Sequence, residues 1–219
     1  MSRRFPFLRG SGCVSAAVVA ALGFLLFGGL STAVAQAPHV VRVEEDWELV
    51  VSEPFADAAA PQVTCVISPV GHLGWRHIAF ELNHQSMADF VPGGMQLAVW
   101  DGESFVHSHK HSSSAVMSSG SETVRWTQVM YVTGGLLRFE VTGGTSTTWG
   151  SFGGSGSLRH TESTWLTDLD GYSPDVSVAN SGVGFAGNRV SSLVLKRVRV
   201  FLSDGQQVVD ETPRVVHTP

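Results

Sequence analysis

Three histidines at alternate positions, His107, His109 and His111 in ESFVHSHKHSSS (residues 103–114), are the side chains of this chain best suited to chemistry. Imidazole nitrogens hold divalent transition metals when they converge at about 2 Å from the ion. Along an extended strand alternate side chains share a face at a spacing of about 6.7 Å, so His107 and His109 can meet on one ion, on a face shared with Phe105 and His111. His111, roughly 13 Å from His107 along a straight strand, cannot easily join them. A closed site therefore needs a ligand from elsewhere, with His77, Glu81, His84 and His160 as candidates. The alternative is a solvated strand end running into a serine loop, and Lys110 between the histidines adds a repelling cation.

The cupins, jelly rolls with an H-x-H metal pair, are the pattern to test. They place a Glu four or five residues later, whereas here Lys110, His111, Ser112, Ser113 and Ser114 follow and the next carboxylate is Glu122. The chain departs from that pattern.

Calcium is the second metal to weigh. Asp168, Asp170 and Asp175 in TDLDGYSPD offer oxygen ligands around Gly171, which suits a hard cation. Aligned as an EF-hand with that glycine sixth, the first and twelfth ligands fall on Leu166 and Ser177, so it is not one. A looser calcium loop and a plain Asp-Gly turn both stay open.

Other chemistries find less support. Glu81 and Glu140 are the carboxylates to test for glycan cleavage, which in a retaining enzyme needs two about 5 Å apart. The E-x-D-x-E strand motif of concanavalin-like glycosidases is absent, and Arg138 beside Glu140 reads as an ion pair. No G-x-S-x-G and no glycine loop with a lysine is present. Cys65, in the apolar run QVTCVIS, reads as a buried small hydrophobe.

Tryptophan is abundant, with Trp47, Trp75, Trp100, Trp126, Trp149 and Trp165. Trp126 alternates in phase with Val124, Met130 and Val132 and belongs in a core. Trp149, in TSTTWGSFGG, and Trp165, before the acidic loop, are the candidates for flat exposed faces of the kind that bind sugars. Packing of their own loops is the other use for both.

The elements that must position these residues are strands. Apolar alternation marks residues 40–52, 62–68, 75–84, 95–100, 122–132, 136–142 and 190–203, with no long helical period. Asp101-Gly102, Gly134-Gly135 and Asp204-Gly205 are hairpin turns. Antiparallel neighbours in this number predict an all-β chain: a single antiparallel two-sheet β-sandwich, jelly-roll or concanavalin-like. Two stretches, 112–121 and 142–157, read as long loops, the kind that are functional or mobile.

The segment NSGVGFAGNRVSSLVLKRVRVFLSDG (180–205) resembles the closing strands of concanavalin-like and laminin-G-like sandwiches, and the chain resembles small secreted bacterial proteins of that build. The resemblance implies the fold, and a lectin-like or adhesive role as an expectation, since fold alone never fixes function.

The amino terminus sets the destination. Arg3, Arg4 and Arg9, an apolar run from Cys13 to Leu30 and the A-x-A of Ala33 and Ala35 make residues 1–35 a signal peptide, leaving residues 36–219 as one β-sandwich domain. An uncleaved anchor is the rival reading, because the run approaches the ~20 residues that span a bilayer. Cleavage predicts a secreted or periplasmic protein without a membrane span. With 14 basic residues reduced to 11 against 19 acidic ones, its charge moves from −5 to −8, which argues against nucleic acid as a partner. The expectation is thus a non-catalytic sandwich binding a polysaccharide or cell-surface glycan. The alternatives are an enzyme, metal-dependent through the H-x-H pair or glycan-cleaving, and a purely structural matrix protein. Calcium or a transition metal is the only cofactor the residues suggest.

Overall fold

A computed structural model describes residues 37–52, 61–83, 94–117, 120–154 and 156–219. Residues 1–35, the expected signal segment, and His84 lie outside the described residues.

Alternation builds the central strand. In β1 (Val40–Val51), Val43, Glu45, Trp47, Leu49 and Val51 are buried while the residues between them stay half-exposed, as period two demands. It pairs antiparallel on one side with β11 (Val190–Leu202) and on the other with β6 (Glu122–Thr133). Beyond β11, the short strands β12 (Gln207–Asp210) and β13 (Arg214–His217) both pair with it. Beyond β6 comes β7 (Leu136–Ser146), whose free edge carries β8 (Gly150–Phe152) and β9 (Arg159–Ser163). These eight strands form one sheet.

The second sheet has five strands in the order β10 (Gly182–Phe185), β2 (Gln62–Ile67), β3 (Arg76–Leu82), β4 (Met95–Asp101) and β5 (Ser104–Lys110), all antiparallel. The chain is the all-β sandwich that its alternation predicts. Gly134 and Gly135, both at positive φ, form the tight turn between β6 and β7, a conformation open to glycine without strain.

The inner faces meet in a continuous apolar core. Trp47 stacks on its register partner Trp126, ring centroids 6.4 Å apart, and Phe80 of the facing sheet meets Trp126 edge-on at 5.5 Å. Cys65, Ile78, Leu97, Met130 and Phe139 complete this layer. Cys65 is buried and free, and burial pushes its thiol up, so it is an inert packing residue.

One loop is shorter than the sequence suggests. Residues 142–157 are not an open excursion: β7 runs on to Ser146 and β8 pairs back onto it. The small residues there permit close approach, since a Cβ on Gly144 would lie 2.2 Å from the Phe152 ring. The chain also contains a helix of about two turns, α1 (Pro174–Asn180), which opens on a proline, the residue pre-set for a first helical turn. Among the described residues, no helix is long and apolar enough to cross a membrane.

Candidate metal centre

The site begins with register. In β5, His109 lies opposite Leu97 and His107 opposite Val99, both buried core residues, so the two imidazoles point into the sandwich rather than away from it. The register then slips between Val99 and Trp100, leaving Val106 as an extra residue and setting Phe105 opposite Trp100. Phe105 meets the Trp100 ring edge-on at 5.5 Å, and Trp100 packs with Val66, Ala79 and Ala98 on the outer face. Phe105 therefore does not share the histidine face as uninterrupted alternation predicts, because the bulge turns it over.

β5 and β9 are edge strands of different sheets. In β9, His160 lies opposite Phe139, whose ring is nearly parallel to the imidazole at 6.4 Å, so His160 also faces inward and is only 7% exposed. The inter-sheet gap brings the three rings together: His107 Nε2 is 2.9 Å from His109 Nε2, and His109 Nε2 is 3.2 Å from His160 Nδ1. All three ligand atoms lie within 4.8 Å of one another, and no other group of three potential ligands converges in this way among the described residues. Nitrogens on a tetrahedral ion at about 2.05 Å sit about 3.3 Å apart, close to both contacts.

Hydrogen bonding alone does not satisfy this arrangement. A neutral imidazole nitrogen carries either one proton or one lone pair, yet His109 Nε2 faces two ring nitrogens at once. Burial holds His160 down to about 4, with His107, His109 and Arg76 adding to the effect, and burial followed by His107 lowers His109. Both imidazoles are therefore neutral near pH 7 and offer lone pairs, the form that a metal takes.

Behind His160 lies an ion pair that spans the two sheets. Arg76, the first residue of β3, places its Nε 2.9 Å from Glu162 Oε2, and that oxygen is 3.6 Å from His160 Nε2. Arg76 Nη2 also lies 3.8 Å from Asp101. Burial raises Glu162 and Arg76 opposes the shift. Further along, the Trp75 and Trp165 rings meet at 5.6 Å, and Trp165 is 76% exposed.

The other candidates fall elsewhere. His111 Nδ1 accepts from the Ser113 amide at 3.1 Å and stays outside the cluster. His77 and Glu81 alternate with the core residues Ile78, Phe80 and Leu82, so they face outward, His77 onto the Trp75 carbonyl and Glu81 onto the Gln96 amide. Glu140 lies on the outer face of the opposite sheet, paired with Arg159 at 2.9 Å, so it and Glu81 cannot flank one glycosidic bond. Arg138, the partner suggested by sequence, instead donates to the Tyr131 hydroxyl.

The aspartates of TDLDGYSPD are spread out and separately engaged. Asp170 Oδ1 accepts from the Val40 amide at 2.6 Å, Asp168 accepts from the Asp170 amide and the Thr167 hydroxyl, and Asp175 points to solvent 3.9 Å from Arg214. They act as a turn that ties the start of β1. Trp149, read as a possible platform, is 8% exposed and donates its indole N–H to the Ala115 carbonyl at 2.8 Å, so its face is covered. That bond joins the stretches 112–121 and 142–157.

A buried acid escaped the sequence reading. Glu45, fully buried on β1, accepts from Tyr172 Oη at 2.8 Å and from Trp47 Nε1 at 3.1 Å, and burial pushes it up to about 7. Its place in phase with Val43 and Trp47 was the available signal.

No protein-family model matches the chain, and no curated protein matches it in sequence.

Proposed function

We propose that this protein is a metal-binding β-sandwich, exported on the signal reading of residues 1–35, that holds one zinc-class divalent ion between its sheets through His107, His109 and His160. The observation that carries the reading is His109 Nε2, facing two other ring nitrogens that hydrogen bonding cannot jointly satisfy. Three imidazoles without a carboxylate favour zinc, copper, nickel or iron over calcium and magnesium. Three protein ligands leave a fourth position for water or a small ligand, and His107 and His109 are half-exposed, so solvent can reach it. An ion held in this way lowers the pKa of a bound water toward about 7, which makes hydrolytic chemistry accessible to the centre.

Metal analysis and zinc titration of the purified chain test the reading. One zinc per chain is expected, lost in His107→Ala plus His109→Ala and in His160→Ala, with far-ultraviolet circular dichroism unchanged. Zinc retention unaffected by His160→Ala would remove the reading.

A second reading, retention of a polysaccharide or cell-surface glycan, is supported by Trp165, whose exposed ring leans on Trp75. Electrophoresis through polysaccharide-loaded gels should show retardation that disappears in Trp165→Ala. Equal mobility of the two proteins in every polysaccharide would end it.

A further inference from the structure

Building on the metal-binding reading, we infer that Glu162, braced across the sheet gap by Arg76, is a positioning residue that commits His160 to bind the ion through Nδ1. The two ring nitrogens of His160 have different surroundings. Nδ1 faces the cluster, 3.2 Å from His109 Nε2, while Nε2 faces away from it toward Glu162 Oε2 at 3.6 Å. Strand geometry produces this pairing, because His160 and Glu162 are alternate residues of β9 on the same inward face, opposite Phe139 and Leu137.

A carboxylate can only accept hydrogen bonds, so the atom it faces must carry the proton. A proton on Nε2 leaves the lone pair on Nδ1, aimed at the other two imidazoles. The contact at 3.6 Å is longer than the roughly 2.9 Å of an ordinary N–H···O bond, and a small approach of the ring completes it. The atoms have reason to move: His160 Nε2 and Glu162 Oε1 are both buried without a hydrogen-bond partner, as is Arg76 Nη1. Arg76 holds the carboxylate in place from the facing sheet through its Nε at 2.9 Å, on the same Oε2 that faces the imidazole. The Phe139 ring, stacked on His160, blocks the imidazole from tilting away.

Partners of this kind, hydrogen-bonded to the far nitrogen of a ligating histidine, are typically worth 10–100-fold in metal affinity. Zinc titration of the full chain and of Glu162→Ala and Glu162→Gln tests the role, with long-range nitrogen NMR reporting which His160 nitrogen is protonated in the zinc-loaded protein. The expected result is Nε2 protonated and Nδ1 metal-bound in the wild type, zinc bound 10–100-fold more weakly by Glu162→Ala, and a smaller loss in Glu162→Gln, whose amide oxygen can still accept. The glutamine variant keeps the shape of the side chain, so it reads the effect even where alanine disturbs folding. Wild-type zinc binding with affinity held within twofold in both variants, or with His160 metal-bound through Nε2, would overturn this role and leave the metal centre standing. No zinc binding by the wild type would remove the centre itself.

Discussion

The sandwich has two open sides, where its sheets lie face to face without backbone pairing between them, and it closes them by different means. On one side α1 and β13 fill the gap: Val178, Val183 and Val216 pack against the core, Ser181 Oγ accepts from the Val66 amide at 2.9 Å, and His217 Nε2 meets the Gly187 carbonyl at 3.0 Å. On the other side β5 faces β9 across three imidazoles and an Arg76–Glu162 ion pair. The first closure uses apolar contact and mostly paired polar groups, with Ser177 Oγ of α1 the buried exception. The second leaves His160 Nε2, Glu162 Oε1 and Arg76 Nη1 buried without partners. Natural interiors rarely leave buried polar groups unpaired, and where they do a functional demand is the usual cause. On the metal-binding reading proposed above, the difference separates a side closed by packing from a side arranged around an ion.

Packing sets the largest expected effect. Trp149, next to Phe152 of β8 on the edge of β7 that also carries β9, should cost about 3–5 kcal/mol on replacement by alanine, measured by chemical denaturation. A loss below about 1 kcal/mol would mean that the imidazole side carries little structural weight.

The Glu45 network sharpens the contrast through pH. Its folded value is raised from 4.5 to about 7, so the native state keeps a proton that the unfolded state releases between those values. The contribution is complete below pH 4.5, declines as pH rises through about 7, and amounts to at most about 3 kcal/mol at 1.36 kcal/mol per unit. Urea titrations at pH 5 and pH 8 should differ by more in the wild type than in Glu45→Gln. An identical pH response in the two proteins would contradict this account.

On the metal-binding reading, zinc should act on the opposite side. At a free concentration one hundred times the dissociation constant it should stabilise the fold by about 2.7 kcal/mol. Hydrogen exchange should slow in β5 and β9 while α1 stays unchanged, and His160→Ala should abolish both effects. Slowing spread evenly over both sides would dissolve the distinction. Smallest of all, Arg125→Ala, which removes an exposed ion pair to Glu48 on the outer face away from either opening, should shift stability by less than about 1 kcal/mol.

The fold was largely legible because alternation is a local signal. VVRVEEDWELVV announces a strand with one inward face, and the turns at Asp101-Gly102 and Gly134-Gly135 set antiparallel neighbours. The strands missed, RHTES and RVVH among them, are too short for a period to emerge. The centre was half legible. His107 and His109 declare themselves through spacing, whereas His160 is one name among four, because its approach depends on β9 joining the edge of β7 and on that edge facing β5. Phe105 was misplaced for a related reason, since a bulge leaves no mark in the pattern of apolar and polar residues. Trp149 sits among small polar residues that look like an exposed loop, and its burial comes from contact with Ala115, 34 positions away.

That bulge makes the register of one hairpin a chemical parameter. Val106 is the spare residue between the Asp101-Gly102 turn and His107, and it decides which side of β5 the imidazoles occupy. Were Val106 paired in an unbroken ladder instead, it would lie opposite Val99 and His107 opposite Ala98, presenting Ser108 and Lys110 to the interior and sending both imidazoles out to water. The irregular pairing at Val106 is thus as much a part of the centre as the ligands themselves.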